Sequence, residues 1–385
     1  MPPVNRFAFH NPVEVRFGRG VSADLGACLQ LPALLVLGRA TLERTGLADF
    51  AARTEGVHTH AGVPPNPTPD IIDAGATHAR ELGVRTIVGV GGGSAQDAAK
   101  CMAVMLGHSE SIRDLQARCR AGEAFIRRVR LIQLPTTAGT GSEVTRWASV
   151  WGENGSKSSL DHESGYADVC LVDPALTDGM GAALTATTGL DAMAHAMEAL
   201  WGVHHNPVSS LHARAALGLV SRHLLPCVRA GRAGDAGTAS KAAAATQRQR
   251  DGMALASLHA GLALSNTRSA VAHALSYALT GEHGVCHGAA VGLLCRGALP
   301  VNAALVPERV AAITDALGLP DVRAAQAFID EVFVAAGLPT DLAGHGVPAS
   351  ALPALVDTAC GAERLANNPG QLQPSDLAAI LEAIA

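Results

Sequence analysis

Asp191 and His195 stand four residues apart in Gly189-Leu190-Asp191-Ala192-Met193-Ala194-His195, a spacing that puts both on one face of a helix. His273 and His287 follow, fourteen residues apart, in AVAHALSYALTGEHGVCHG. One carboxylate and three imidazoles suit a borderline divalent ion such as Fe2+ or Zn2+. An open coordination position would let that ion polarise a substrate oxygen. The plain alternative is coincidence. With 16 histidines chance pairings are common, and His259 is also fourteen residues from His273.

Two glycine-rich loops could hold a ligand of another kind. Gly91-Gly92-Gly93-Ser94-Ala95-Gln96-Asp97 follows the strand-like Thr86–Val90 and opens an amphipathic helix. Such a turn brings backbone amides close to a ligand and offers a helix N-terminus to a pyrophosphate. Gly89-x-Gly91-x-x-Ser94 lacks the third glycine of the dinucleotide fingerprint, and a simple turn with Ser94 as cap and Asp97 as its partner is the competing reading. Pro135-Thr136-Thr137-Ala138-Gly139-Thr140-Gly141-Ser142-Glu143 follows a second strand-like run. Ligands of open α/β sheets bind at the strands' C-terminal edge, where both loops would lie.

The elements that must position these groups change character along the chain. Val13, Val15 and Phe17 alternate as in a strand, and Ala33–Gly38, Thr86–Val90, Leu131–Leu134 and Val169–Val172 are short buried-strand candidates. Each of these four precedes Gly, Pro or Asp and then a helix-like stretch, which predicts a parallel sheet covered by helices. From about Ala182 onward, Ala-rich segments of helical period dominate. The expected organisation is an α/β dinucleotide-binding domain over 1–180 and an all-helical, metal-binding domain over 181–385. Residues 230–245, low in complexity, read as an exposed loop between helices.

Composition narrows the classes. The 385 residues are 48% hydrophobic and carry 29 Lys and Arg against 34 Asp and Glu, with no basic stripe for nucleic acid. Only 3 Trp, 2 Tyr and 7 Phe are present, too few for base-stacking platforms. Eight cysteines without a CxxC pair suit a reduced, cytoplasmic chain. MPPVNRFAFHNPVEVRF lacks a signal-peptide core, and no apolar run approaches ~18 residues, so neither secretion nor a membrane partner is expected.

Taken in order, VRFGRG, PPNPT, GGGSAQDAAK, LPTTAGTGSEVT, LVDPALT, TGLDAMAHAMEA and CHG resemble the iron-containing (group III) alcohol dehydrogenase family over essentially the whole chain. The resemblance implies a dinucleotide-binding domain, a helical domain and an active site in the cleft between them. It implies Asp191, His195, His273 and His287 as metal ligands. Gly92, Gly93, Ser94, Asp97, Thr136, Thr137 and Thr140 would contact NADH or NADPH, with Asn66 and Lys157 as further candidates. A homodimer is the family expectation.

Three departures from the family pattern bear on specificity. Tyr277 stands where many members carry a second histidine linked to proton relay. Arg268 in SNTRSAVAH replaces a usual glycine, and an arginine near an apolar pocket calls for an anion unless it is simply a surface cation. Gly38-Arg39 replace an acidic ribose anchor, which predicts that NADPH serves at least as well as NADH. SNTRSAVAHALSYALT, GSKSSL and ALWGVHHNPVSS are most similar to the phosphonoacetaldehyde reductase branch. The expected substrate is therefore a small anionic aldehyde met by Arg268 and Lys157, with Tyr277 in the relay. The alternatives are a general alcohol dehydrogenase, a maleylacetate reductase-like enzyme, a sugar-phosphate lyase of the dehydroquinate synthase type, or a non-enzymatic assembly or metal-storage protein.

Overall fold

The computed structural model describes residues 6–152, 156–232 and 240–385. Six strands, β1 (Glu14–Phe17), β2 (Ala33–Leu37), β3 (Val57–Ala61), β4 (Thr86–Gly91), β5 (Arg130–Pro135) and β8 (Val169–Val172), form one sheet in the order β1-β8-β5-β4-β2-β3. Every neighbouring pair is parallel. Alternate residues of the central strands feed two cores. Leu34, Val36, Ile87, Leu131 and Cys170 pack on one face, where the helix Gly93–Met105 lies, and Leu35, Leu37, Val88, Val90, Ile132 and Leu134 pack on the other. Burial on both faces is why these strands read as continuous apolar runs.

β3 was not anticipated. Its sequence, VHTHA, places histidine and threonine at a sheet edge, where half-burial does not demand an apolar run. The remaining strands, β6 (Trp147–Trp151) and β7 (Lys157–Asp161), pair antiparallel in a hairpin also missed by the sequence reading. The buried faces of that hairpin (Ala148, Val150, Leu160) rest on the same core as the Gly93–Met105 helix.

From Ala182 onward the described residues form helices and connecting turns without a strand. The long helices Ala182–Trp201, Pro207–Arg232, Ser240–Thr267, Val271–Gly281 and His287–Leu305 share one core, with Leu190, Met193, Leu224, Leu275 and Leu294 among its members. The expected loop over 230–245 is partly corrected: helix continues to Arg232 and resumes at Ser240, while 233–239 lie outside the described residues. His287–Leu305 also modifies the expectation about apolar runs. Its 18-residue window has mean hydropathy 1.4, enough by length and composition to cross a bilayer, yet 67% of that window is buried inside the protein. Arg296 breaks the run in the sequence and pairs with Asp330. The helix is mostly apolar because it is a core helix.

The two halves meet at a glycine contact. Gly141, at φ +59°, packs so closely on Gly261 of the Ser240–Thr267 helix that a Cβ on either would overlap the other's backbone. Left-handed φ and close approach together explain glycine at 141. The loop carrying it is pinned by Lys100, a fully buried lysine. Its Nζ donates to Ser142 Oγ (2.7 Å), Thr145 Oγ1 (3.1 Å) and the Trp147 carbonyl (2.7 Å), which uses all three ammonium protons.

Candidate active site

Both glycine loops open at the C-terminal edge of the sheet, facing the helical domain. Gly92 caps the Gly93–Met105 helix with no side-chain hydrogen bond, so the first-turn N–H groups are left for an anion. Ser94 is thus not the cap that the competing sequence reading made it; its Oγ accepts from the Asn66 N–H (3.1 Å). Asn66 itself sits at φ 58°, and Asn66, Gly93, Ser94, Asp97 and Thr140 line the cleft. Both oxygens of Asp97 are engaged, one by Ser142 Oγ (2.7 Å) and one by the Ser149 N–H (2.8 Å), so it braces the loop from the cleft wall. Thr136 and Thr137 lie back from that wall. Thr136 is buried with its N–H on the Gly91 carbonyl, and Thr137 packs against Gly92. Arg39 is exposed at the first turn after β2, whose end is in register with the end of β4.

Across the cleft, Asp191 Oδ1 is the point on which three imidazoles converge. His195 Nε2 lies 3.6 Å away, His273 Nε2 3.5 Å and His287 Nε2 3.9 Å. The ligating atoms of Asp191, His273 and His287 are all within 4.8 Å of one another; His195 is not part of that mutual group, though its ring stacks on His273 at 4.6 Å. Donors bonded at ~2 Å to a common ion are separated by no more than ~4 Å, a limit that the three spacings from Asp191 Oδ1 meet. His259 is elsewhere, its Nδ1 2.9 Å from His212 Nδ1. Glycine again permits the geometry: a Cβ on Gly288 would strike the Thr187 carbonyl, so the His287 helix can cross the Asp191 helix this closely only without a side chain.

Two observations say that these groups fit a metal ion. Asp191 Oδ1 and His273 Nε2 are buried and have no hydrogen-bond partner, which is costly unless something else engages them. Burial pushes the His195 pKa down to about 4, and burial and Lys157 push His287 well below the ordinary imidazole range. Both rings are therefore neutral and available as ligands at pH 7. Burial opposes charge on Asp191, but the facing imidazoles hold its carboxyl below the usual range.

Glu198, which the sequence reading missed, completes the arrangement. It is fully buried, and its Oε2 is 2.6 Å from His273 Nδ1. Its Oε1 accepts from the N–H of Ala272 (2.8 Å) and of His273 (3.3 Å), at the start of the Val271–Gly281 helix. The available signal was a carboxylate three residues after His195 in a helix that is otherwise almost wholly apolar.

Tyr277 and Lys157 also line the cleft. Burial raises the Tyr277 pKa, so its phenol keeps its proton at neutral pH. Lys157 Nζ, at the start of β7, lies 4.6 Å from the Tyr277 ring centroid, and burial together with Arg364 lowers its pKa to about 8. Arg268 is a correction. The Ser240–Thr267 helix ends just before it, and Arg268 takes φ 67° as the terminating residue. Its N–H still bonds the Leu264 carbonyl (2.9 Å), but its guanidinium turns to Asp161 Oδ2 (2.9 Å), outside the cleft lining. It is not on the His273 helix, as its spacing had suggested. The arginine that does line the cleft is Arg364, from the turn Glu363–Asn367.

A parallel-sheet α/β domain facing a helical domain, with a carboxylate and three histidines in the cleft between, defines a two-domain oxidoreductase. The chain belongs to the iron-containing alcohol dehydrogenase family. Residues 12–174 match "Iron-containing alcohol dehydrogenase" and 185–385 match the C-terminal part of the same family. It is 35% identical to long-chain-alcohol dehydrogenase 1 of Geobacillus thermodenitrificans, over 91% of this chain and 89% of that protein. It is 32% identical to sulfoacetaldehyde reductase of Bilophila wadsworthia, over 82% and 81%. The crystal structure of sulfoacetaldehyde reductase from Bifidobacterium kashiwanohense in complex with NAD+ superposes with TM-score 0.85 at 28% identity, covering 99% of both chains.

Proposed function

We propose that this enzyme reduces a small aldehyde with an anionic head, phosphonoacetaldehyde to 2-hydroxyethylphosphonate, with a nicotinamide dinucleotide and with Fe2+ or Zn2+ held by Asp191, His195, His273 and His287. The observation that carries this reading is the convergence of three imidazoles on one buried carboxylate oxygen, in the cleft that also receives a helix N-terminus with no side-chain cap. When bound, the ion supplies a Lewis acid toward a carbonyl oxygen and the nicotinamide supplies hydride. The chain's own residues bind and orient. The Gly92–Gly93 turn receives the pyrophosphate, with Asn66, Ser94 and Thr140 beside it. Tyr277, protonated and one helical turn beyond His273, keeps its phenol O–H at the cleft wall, ready to donate to a substrate oxygen. Sulfoacetaldehyde, for which two of the similar proteins are named, is also an aldehyde with an anionic head, which supports the anionic class. The same reading makes the protein a cytoplasmic homodimer with no nucleic-acid or membrane partner.

The test is hydride transfer. Protein stripped with a chelator should lose turnover and recover it on reloading with Fe2+ or Zn2+. Absence of turnover on every small aldehyde, in both loaded forms, would overturn the reading. NADPH should support reduction at least as well as NADH, because Arg39 stands where an acidic ribose anchor would repel a 2′-phosphate. A hundredfold preference for NADH, ~2.7 kcal/mol in kcat/KM, would mean that Arg39 points elsewhere.

A further inference from the structure

Several arginines of this protein sit beside acids. Arg268 and Arg146 share Asp161, Arg19 meets Asp178 and Asp251, Arg127 meets Asp168, and Arg296 meets Asp330. Lys157 and Arg364 differ from these in both place and partners. Both line the cleft that holds the Asp191 cluster, and among the described residues neither has a carboxylate within ion-pair distance. They are nonetheless held near one another, since Lys157 Nζ is 4.6 Å and Arg364 Cζ 5.7 Å from the same Tyr277 ring centroid.

Arg364 is fixed in place by its own turn. Its Nη1 donates to Ser269 Oγ (2.8 Å), and Asn367 of the same turn donates through Nδ2 to the Ser269 carbonyl (2.9 Å). Nη1 is therefore occupied and the Tyr277 hydroxyl also engages the guanidinium, which leaves the remaining N–H donors of the planar fork for a ligand. Two like charges facing one partly enclosed space repel each other, and that repulsion is relieved when an anion enters between them. The mutual repulsion also contributes to the depressed Lys157 pKa.

We infer that Arg364 and Lys157, with the Ser269 and Tyr277 hydroxyls, form the subsite for a tetrahedral oxyanion head, a phosphonate or a sulfonate, on the substrate aldehyde. The inference rests on the reductase reading above and replaces Arg268 as the group that meets the anion. Tyr277 lies four residues after His273 on one helix. A head group at its ring is thus about one helical turn, ~6 Å, from the metal ligands. That distance suits a two-carbon aldehyde whose carbonyl end is at the Asp191 cluster. Guanidinium and ammonium together recognise charge and geometry, the former through paired N–H donors and the latter as a point charge.

The experiment compares Arg364→Gln with wild type, both loaded with metal and cofactor, on phosphonoacetaldehyde, sulfoacetaldehyde and propionaldehyde. The ratio of kcat/KM for an anionic aldehyde to that for propionaldehyde should fall by about 30-fold or more, as expected when one partner of a desolvated charge pair is removed. Binding of 2-hydroxyethylphosphonate to the cofactor-loaded enzyme, read by calorimetry, should weaken in parallel. The relative wild-type kcat/KM on the phosphonate and the sulfonate distinguishes which head the subsite takes. An unmoved ratio with unchanged product affinity overturns the subsite while leaving the reductase intact. A wild-type enzyme that reduces none of the three aldehydes overturns the reductase reading and this subsite with it.

Discussion

Asp191→Ala is expected to lower kcat/KM on any aldehyde substrate by about a thousandfold or more and to leave the purified protein without stoichiometric metal. The carboxylate supplies the only negative charge among the four converging groups, and all three Nε2 atoms face its Oδ1. Removing it leaves three imidazoles to hold a dication in a buried site, with no anionic ligand to offset the desolvation of the ion. Loss of Lewis-acid assistance amounts to several kcal/mol of transition-state stabilisation, and ~4 kcal/mol corresponds to roughly a thousandfold in rate. Two measurements separate this from misfolding. Metal content is read directly on the folded fraction, and thermal unfolding is compared with and without added Fe2+ or Zn2+. A resident ion stabilises the native state by mass action, so the wild-type midpoint should rise with metal and the variant's should not. A variant that retains one ion per chain and turns over within tenfold of wild type would remove Asp191 from the ligand set.

Much of this arrangement is legible in the chain, for reasons that differ by residue. β2, β4, β5 and β8 announce themselves because strands buried on both faces must be apolar throughout. The Asp191/His195 pair is visible because helical periodicity converts a spacing of four into a shared face. β3 and the β6–β7 hairpin were not visible, since an edge strand and a half-covered ribbon need no continuous apolar run. Arg268 was misplaced for a local reason. The spacing to His273 assumed one helix, whereas the chain breaks at a left-handed residue and begins a new helix at Val271. Arg364 had no local signal at all. It reaches the cleft from a short turn near the C-terminus, and only tertiary packing brings it beside Ser269 and Tyr277. Glu198 carried a signal that could be used: an acid in an apolar helix needs a buried partner.

That buried acid gives the second large effect. Glu198→Gln is expected to weaken metal binding by about 10- to 100-fold, the range typical of partners that orient a ligating histidine. The reason is the donor count on the wild-type carboxylate. Oε1 accepts two backbone N–H bonds and Oε2 faces His273 Nδ1, so every neighbour of this acid is a donor. A carboxylate only accepts, which places the imidazole proton on Nδ1 and leaves Nε2, the atom 3.5 Å from Asp191, free to bind an ion. Burial disfavours the ionised acid, yet His273 and the backbone donors keep its pKa below the ordinary carboxylate range, so the accepting form persists at neutral pH. Glutamine keeps the shape and substitutes an amide N–H2 for one oxygen. Turned toward Ala272 and His273, the amide sets donor against donor and leaves buried N–H groups unpaired, at about 1–3 kcal/mol each. Turned toward the ring, it demands an acceptor at Nδ1 and so drives the proton to Nε2, where it blocks ligation. Competition with a chelator of known affinity, on protein whose unfolding midpoint is recorded in parallel, reads the two consequences separately. Saturating metal should restore much of kcat in this variant, unlike Asp191→Ala, because the ligands themselves are still present. A lowered unfolding midpoint with an unchanged metal dissociation constant would reduce Glu198 to a helix cap and sink its role in setting the histidine tautomer.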